Sequence, residues 1–281
     1  MPDKNRTIAF QGAPGAFSEI ACRSMFPGYT TLPCPLFEDL FSAVEKGAAS
    51  FGMCPLENSV AGRVADVHHL LPKSDLFIIG EYFLRIEQHL LAPKGATLDS
   101  IQEVHSHVHA LGQCRENIRK LGLTPVVHAD TAGAAADVAK WNDRTKAAIA
   151  SELAAETYGL EILKRNMEDA DHNTTRFVVL SKERTLPATE GKVITSLLFS
   201  TKSVPAALYK AIGGFATNSV NITKLESYTS GKYFEIAQFY MDIEGHPSEP
   251  AVARALEELS SFSKEVKVLG VYPADPFRYG K

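Results

Sequence analysis

Cysteine is scarce in this 281-residue sequence, and none of its four cysteines stands in a CxxC pair. The wide spacing of Cys22, Cys34, Cys54 and Cys114 disfavours a zinc site or a thioredoxin-type motif and predicts reduced, mostly buried thiols. No run of about 18 apolar residues is present, so neither a membrane-spanning helix nor a membrane partner is expected. The N-terminal residues also lack the apolar segment of a secretory signal, which predicts a cytoplasmic protein.

An excess of positive charge is absent as well. Lys and Arg number 29 against 33 Asp and Glu, and the net charge is -4. Such a chain has no general basic surface with which to neutralise a phosphate backbone, so nucleic acid is not an expected partner. Hydrophobic residues at 45% are too many for a disordered chain, and the length leaves room for more than one domain.

Strand-like and helix-like segments alternate along the first two thirds of the chain, which predicts an α/β fold with largely parallel sheets. Two such sets follow one another, the second over about 88–170, so we expect two lobes with a cleft between them. The predicted helices are Phe17–Phe26, Phe37–Lys46, Val60–Leu71, Ala110–Leu121 and Ala132–Ala139, and the predicted strands are Arg6–Phe10, a strand near Thr30, Phe51–Leu56, Phe77–Ala92, Glu103–His105, Val126–Val127 and Arg176–Leu180.

A charged segment, Lys182–Lys192, contains Pro187 and Gly191 and is predicted to be a linker. The pattern beyond it predicts a ferredoxin-like βαββαβ unit. We therefore expect one domain over 1–184 and a smaller one over 192–281, whose exposed sheet edge or helical face would need a partner in a homo-oligomer. The predicted strands of this unit are 193–200, 220–227, 233–243 and 265–272, and its predicted helices are 205–216 and 248–260.

Three short segments carry polar groups at the ends of predicted strands, where ligands bind in open α/β sheets. The first, Gly12-Ala13-Pro14-Gly15, opens a helix whose N-terminus favours an anion; its GxxG spacing does not fit a dinucleotide fold, and a tight turn with Ser18 or a neighbouring residue as the helix cap is the alternative. The segment Pro55–Ser59 is either a ligand-binding strand end or a loop with an Asn-Ser cap. Asn173–Phe177 offers hydroxyls and a guanidinium suited to a carboxylate, or is only a polar strand entrance.

Three alternating histidines, His105, His107 and His109, would form a metal site if all three lay on one face of a strand. The following Ala-Leu-Gly predicts that the strand ends near His107, which breaks that alignment, so no metal is expected. The pair His68-His69 is predicted to lie on a helix surface or to line the cleft.

The segments GAPGAFSE, PLENSVAGRV, SHVHALGQC and NTTRFVVL occur in the order and approximate spacing of prephenate dehydratases. The chain resembles that family over nearly its whole length. The resemblance implies a catalytic domain of two α/β lobes, similar to type II periplasmic binding proteins, followed by an ACT domain. It also implies the decarboxylating dehydration of prephenate to phenylpyruvate in L-phenylalanine biosynthesis, without a cofactor, in a homodimer or homotetramer regulated by L-phenylalanine.

The resemblance assigns a catalytic role to Thr175, the threonine of the TRF segment. One departure in the glycine-rich loop is Ala16, where the family often has threonine. The residues implied in substrate binding are Ser18, Glu57, Asn58, Ser59, Ser106, Gln113, Thr174, Arg176 and Phe177.

The C-terminal unit contains segments similar to the family's PGAL and NLTKIES segments, which bind phenylalanine between paired ACT domains. Ala206 stands where glycine is usual, and Tyr228-Thr229 replaces the usual Arg-Pro, so a purely structural dimerisation domain is the alternative. The implied effector-binding residues are Ala206, Ala207, Leu208, Asn221, Glu226 and Ser227.

Three other functions fit parts of the pattern. Arogenate dehydratase performs the same elimination on a substrate with an amino group in place of the keto group, and would use the same motifs. A solute-binding protein would share the two-lobed architecture, but the missing secretory signal and the C-terminal unit disfavour it. An amino-acid-sensing transcription factor would need a basic DNA-binding helix pair, which is not visible. With no mutase-like helical region before Arg6, a monofunctional enzyme is expected.

Overall fold

The computed structural model describes residues 6–187, 191–201, 204–230 and 236–280, which fold into two compact units. The first unit comprises the chain up to Val67 together with Tyr82–Phe177, and the second comprises His68–Glu81 and the chain from Val178 onward. The limits 1–184 and 192–281 stay predictions, and residues 188–190 of the predicted linker lie outside the described residues.

The observed elements are numbered here in chain order. The strands are β1 (Thr7–Gln11), β2 (Thr30–Cys34), β3 (Phe51–Asn58), β4 (Gly62–Arg63), β5 (Phe77–Arg85), β6 (His89–Ala92), β7 (Glu103–His107), β8 (Thr124–His128), β9 (Lys146–Ala150), β10 (Glu161–Lys164), β11 (Thr174–Ser181), β12 (Val193–Thr201), β13 (Ile222–Ser230), β14 (Ile236–Glu244) and β15 (Ser263–Pro273). The helices are α1 (Phe17–Met25), α2 (Phe37–Glu45), α3 (Ala65–Leu70), α4 (Val108–Gln113), α5 (Arg115–Lys120), α6 (Thr131–Trp141), α7 (Glu152–Tyr158), α8 (Ala207–Thr217) and α9 (Pro250–Phe262).

The first unit contains two sheets, so the predicted mixed α/β class is confirmed. One sheet has the order β5-β11-β3-β1-β2, in which β1 lies parallel to both β2 and β3. Ile8, Ala9 and Phe10 of β1 are fully buried, as expected for a parallel strand covered on both faces. The carboxyl ends of β1 and β3 lead into the Gly12–Gly15 loop and into Asn58, which places both polar segments at one edge of the sheet.

The other sheet of this unit has the order β10-β6-β9-β7-β8, with β7 parallel to β8 and β9. Two strands of this sheet, β9 and β10, and the helix between them, α7, were not predicted from the sequence. The strand β9 is rich in alanine, which has little strand preference, and α7 has only seven residues. A signal for α7 was present, because Ser151 caps it through a hydrogen bond from Ala154 N and Gly159 ends it.

Two helix predictions were wrong in their bounds. The segment predicted as one helix over Val60–Leu71 begins with a hairpin in which β4 pairs with β3, and the helix starts only at Ala65. The Asn58 side chain accepts hydrogen bonds from the N–H groups of Val60 and Ala61, and Gly62 has φ +82°, so the chain turns where a helix was expected. The predicted Ala110–Leu121 helix is divided at Cys114 into α4 and α5.

The second unit has the element order β12, α8, β13, β14, α9, β15, which confirms the predicted βαββαβ pattern. Its sheet order is β13-β14-β12-β15-β5, and the first four strands pair antiparallel as in a ferredoxin-like fold. Apolar residues such as Phe199, Phe215 and Leu259 form the core between this sheet and its two helices. Residues 233–235, predicted to begin the third strand, lie outside the described residues.

The four cysteines are unpaired and buried, as predicted. Among the described residues, no helix combines the length and the apolar character that crossing a bilayer requires.

Candidate active site

The glycine-rich loop after β1 lies against helix α7 of the same unit. Gly15 has φ +87°, and a Cβ atom placed on it would lie 2.7 Å from Ala154 Cα, so only glycine fits without strain. The Ser151 hydroxyl donates to the Gly15 carbonyl at 2.5 Å, and the Tyr158 hydroxyl donates to the Pro14 carbonyl at 2.8 Å. These contacts join the loop of one sheet to a helix of the other.

Three N–H groups of this loop are satisfied within the protein, and the anion site at the helix N-terminus stays a prediction. Gly15 N donates to Glu19 Oε2 at 2.7 Å, and Gly12 N and Ala16 N donate to backbone carbonyls. Glu19 is 3% exposed and lies in the first turn of α1, where its negative charge interacts favourably with the helix dipole. The N-cap is Ala16, whose side chain makes no capping bond, so Ser18 is not the cap.

Asn58, at the end of β3, is the centre of the polar cluster. Its Oδ1 accepts from the N–H groups of Val60 at 2.9 Å and Ala61 at 2.8 Å. Because both of these groups are donors, the carbonyl side of the amide must face them, which fixes the orientation of the side chain. The Nδ2 side is then directed at Thr175 Oγ1, at 2.9 Å, and at Asn173 Oδ1, at 2.8 Å.

Gln113, from the C-terminal end of α4, completes this cluster. Its Nε2 donates to Asn58 Oδ1 at 3.4 Å, and its Oε1 accepts from Asn173 Nδ2 at 3.0 Å. A cavity of about 130 Å³ lies beside Gln113 and Asn173. Ligand cavities commonly hold about 300–1,000 Å³, so this cavity is smaller than a typical ligand site.

Ser59 connects the two strand ends that carry Asn58 and Thr175. Its N–H donates to the Thr174 carbonyl at 2.8 Å, and its hydroxyl donates to the His172 carbonyl at 2.8 Å while accepting from Thr174 N at 3.0 Å. Ser59 and Thr174 therefore hold the β3 and β11 ends together next to the cavity.

Arg176 forms an ion pair with Glu57 at 3.0 Å, and its side chain is only 2% exposed. Side chains alternate between the faces of a strand, so Arg176 points away from Thr175 on β11, just as Glu57 points away from Asn58 on β3. The structure therefore places this guanidinium against a protein carboxylate and not beside Thr175, where a substrate carboxylate was expected to meet it.

Three further predicted residues lie in packed surroundings. The Ser106 hydroxyl is fully buried and donates to the Ile149 carbonyl at 2.6 Å, which ties β7 to β9. Phe177 is 1% exposed and Ser18 is 8% exposed. The polar cluster contains one residue, Asn173, that was not predicted as a site residue. It is the first residue of the NTTRF motif, so the motif itself could have identified it.

Of the three histidines predicted not to hold a metal, His105 and His107 lie on β7 and His109 lies on α4. His105 is buried on β7 against Trp141, with ring centroids 4.9 Å apart, and burial lowers its pKa although Glu103 acts in the opposite direction. His107 caps α4 by accepting from His109 N, so His109 belongs to the helix and not to the strand. Within the described residues, no group of three His, Cys, Asp or Glu side chains is arranged to hold a metal ion.

In the second unit, a cavity of about 480 Å³ is lined by residues that include Ala206, Ala207, Leu208 and Phe239. The first three are predicted effector residues, so the cavity gathers half of that set. The other three, Asn221, Glu226 and Ser227, are at or on β13, where the Asn221 amide donates to Glu244 and Glu226 accepts from Lys224.

Tyr228, which replaces the family's arginine, packs against His68 with its hydroxyl 3.3 Å from His68 Nδ1. His68 is 4% exposed and its ring also lies edge-on to Tyr240, at 5.2 Å between centroids. The expectation that this histidine lies on a helix surface or lines the cleft was therefore wrong, because two tyrosine rings of the same unit cover it, whereas His69 is exposed.

Ala206 has φ +61° and is the N-cap of α8. A left-handed conformation costs a residue with a Cβ about 1–2 kcal/mol, partly offset by the greater entropy that glycine has in the unfolded chain. We predict that Ala206→Gly raises the free energy of unfolding by up to about 1 kcal/mol in urea titrations. Ala253→Gly, on the exposed face of α9, is the control and should lower that free energy by about 0.5–1 kcal/mol. A lower free energy of unfolding in Ala206→Gly would show that the left-handed backbone of Ala206 is not strained.

Known proteins match this chain along most of its length. The family model described as prephenate dehydratase matches residues 8–185. This chain belongs to the prephenate dehydratase family. Its relatives in this family are lyases of the dehydratase type, and the chain is an enzyme of that class.

Two curated relatives and one solved structure illustrate the match to the prephenate dehydratase family. A bifunctional N-acyl-homoserine lactone acylase/prephenate dehydratase of Komagataeibacter europaeus is 54% identical over 274 residues, covering 97% of this chain and 98% of the relative. Arogenate dehydratase/prephenate dehydratase 2 of Arabidopsis thaliana is 38% identical over 278 residues, covering 95% and 73%. The structure of prephenate dehydratase from Arthrobacter aurescens in complex with L-Phe has a TM-score of 0.88 at 29% identity, covering 95% and 90%. The resemblance inferred from the four motifs is thus confirmed, whereas the role of each residue stays a prediction.

Proposed function

We propose that the chain converts prephenate to phenylpyruvate at the site around Thr175. The observation that carries this proposal is the hydrogen bond from Asn58 Nδ2 to Thr175 Oγ1, at 2.9 Å. Because the Thr175 oxygen accepts from a fixed amide, its own O–H is left to donate. Thr175 is 8% exposed, so a group that reached it would be largely removed from water.

The reaction needs orientation and hydrogen bonding more than acid strength. The C–C bond to the ring carboxylate breaks, CO2 leaves, and the bonding electrons enter the ring as the C–O bond to the ring hydroxyl breaks. The departing oxygen takes up one proton and leaves as water, so no electron is gained or lost overall and no cofactor is required. Thr175 stabilises the charge that develops on this oxygen, and the Asn58 N–H polarises the threonine hydroxyl further.

Two groups of residues surround this centre in the proposal. Ser59, Thr174 and Gln113 fix the substrate beside Thr175. Four buried residues, together with Glu57 in its ion pair with Arg176, keep the strand ends in place and act on the substrate only through the positions of those strands. This second group consists of Ser18, Glu57, Ser106, Arg176 and Phe177.

Arogenate is the alternative substrate of the same site, since dual names occur among the plant relatives. Prephenate and arogenate should be supplied separately, with chelator present, while phenylpyruvate and phenylalanine are measured. We expect phenylpyruvate from prephenate at a kcat/KM well above that for arogenate. A reversed ratio would identify an arogenate dehydratase, and turnover of neither substrate would overturn the proposal.

The ferredoxin-like part of the second unit is proposed to be an ACT domain that binds L-phenylalanine in a homodimer or homotetramer of a cytoplasmic enzyme. The cavity beside Ala206–Leu208 supports this, because its apolar lining suits an aromatic side chain. Calorimetry on the full chain should give saturable heat with L-phenylalanine and none with L-alanine. Absence of heat with both ligands would leave the unit a purely structural dimerisation domain.

A second candidate activity is hydrolysis of N-acyl-homoserine lactones, favoured by the 54% identity to a relative that carries that name. A separate cavity of about 450 Å³ in the first unit is lined partly by Phe17, Ile20, Leu84 and Leu153, which suit an acyl chain. Chromatography should then detect homoserine lactone released by both the wild type and Thr175→Ala. No release by the wild type would exclude this activity.

A further inference from the structure

Three side-chain amides form a closed ring of hydrogen bonds beside Thr175. Asn58 Nδ2 donates to Asn173 Oδ1 at 2.8 Å, Asn173 Nδ2 donates to Gln113 Oε1 at 3.0 Å, and Gln113 Nε2 donates to Asn58 Oδ1 at 3.4 Å. Each amide thus donates to the next and accepts from the previous one. Hydrogen bonds connected in this way polarise one another, so the ring is stronger than three separate bonds.

The two hydrogens of the Asn58 amide have separate acceptors. One is directed at Asn173 Oδ1, and the other reaches Thr175 Oγ1 at 2.9 Å, with the Thr174 carbonyl a more distant neighbour at 3.3 Å. Without Asn173 Oδ1, the Val60 and Ala61 N–H groups would still hold the Asn58 oxygen, but the first hydrogen would lose its acceptor and the amide plane would be free to tilt towards the Thr174 carbonyl. The hydrogen bond to the Thr175 hydroxyl therefore depends in part on Asn173.

We propose that Asn173 is a positioning residue for the dehydration, acting through Asn58 on Thr175. This inference rests on the proposed function of the site. Asn173 is 2% exposed, and its backbone carbonyl accepts from Ile86 N at 2.8 Å, so the residue is fixed at both ends. Its Nδ2 group donates to Gln113, which comes from α4 next to the other sheet, so the same side chain also holds Gln113 in place.

The first test is Asn173→Ala, assayed by steady-state kinetics with prephenate. Misplacing a reacting group by about 1 Å costs on the order of 10²-fold in rate, so kcat should fall by about that factor while KM changes less than about threefold. In a Thr175→Ala background the same change should cost less than about twofold, because its effect passes through the missing hydroxyl. An equal loss in both backgrounds would show a merely structural role and would overturn the proposal.

A second variant keeps the inference testable if Asn173→Ala does not fold. Asn173→Asp retains the volume and the Oδ1 acceptor but loses the donor to Gln113. We expect it to keep at least about ten times the kcat of Asn173→Ala, or about a tenth of the wild-type kcat, while KM rises because Gln113, which fixes the substrate in this proposal, is held less well. A kcat reduced by the full 10²-fold in Asn173→Asp would contradict orientation through the acceptor.

The matched control is Asn218→Ala in the second unit. The Asn218 amide also makes several hydrogen bonds, to Gly214, Glu258 and Arg254, so its loss should lower the melting temperature with kcat unchanged. A wild type inactive on both prephenate and arogenate refutes the proposed function. An active wild type, an inactive Thr175→Ala and a fully active Asn173→Ala refute only the role of Asn173.

Discussion

Thr175→Ala should lower kcat for prephenate by a factor of about 10²–10³, with KM within about threefold of the wild type. The variant loses the donor that meets the departing oxygen, an interaction that is strong only in the transition state, whereas groups that fix the bound substrate remain. Steady-state kinetics on prephenate, with circular dichroism to confirm folding, provides the measurement.

Thr175→Ser is the matched variant for this prediction. Serine keeps a hydroxyl within reach of Asn58 Nδ2 and loses only a methyl group, so most of kcat should return. Near-wild-type turnover in Thr175→Ala would remove Thr175 from the mechanism. A Thr175→Ser enzyme as inactive as the alanine variant would show that packing of the methyl group, and not the hydroxyl, decides the rate.

Arg278→Ala is expected to be the most destabilising substitution considered, with a loss of about 3–5 kcal/mol in the free energy of unfolding. Arg278 Nε and Nη2 bind the two oxygens of Glu81 at 2.6 and 2.8 Å, and Nη2 lies 3.7 Å from Asp242 Oδ2. Both carboxylate side chains are 0% exposed, so removal of the guanidinium takes a positively charged partner away from two buried carboxylates. Equilibrium urea unfolding of the full chain measures the loss in the free energy of unfolding.

Two further variants test whether the loss of the ion pair causes this drop in stability. Arg254→Ala removes an exposed guanidinium that contacts Asn218, and should cost less than about 1 kcal/mol. Adding Glu81→Gln to Arg278→Ala should recover part of the stability, because one of the buried charges disappears. If Arg278→Ala were as mild as Arg254→Ala, the ion pair would not be a significant support of this unit.

The local patterns were sufficient to predict most elements. Alternation of apolar runs with turn residues predicted β1, α1, α2 and β12 within a few residues, because those segments have strong periodicity and clear ends. The same reasoning failed where a side chain from elsewhere redirected the backbone. Asn58 binds the N–H groups of Val60 and Ala61, and so replaces the first turn of a predicted helix with a hairpin.

The candidate site was predicted only in part, because the alternation of side chains along β3 and β11 was not taken into account. The motifs identified Asn58 and Thr175, which point to the same side, but they also included Glu57 and Arg176, which alternate to the other side and pair with each other. Applying the two-residue period of a strand to the motifs would have separated the two pairs. Ser106 was a different case, since its bond to Ile149 depends on β9, which the sequence did not reveal.

The sequence by itself determined the class of fold, the succession of α/β and βαββαβ elements, and the family to which the chain belongs, because these depend on periodicity and on motifs that lie within short segments. Only the tertiary structure decided which of the motif residues act together. Asn58, Gln113 and Asn173 are at least 55 positions apart in the chain, and no local pattern relates their amides. Folding brings the three into one partly buried ring in which the amides bind one another, while the Val60 and Ala61 N–H groups hold the Asn58 oxygen and so direct its nitrogen at Thr175.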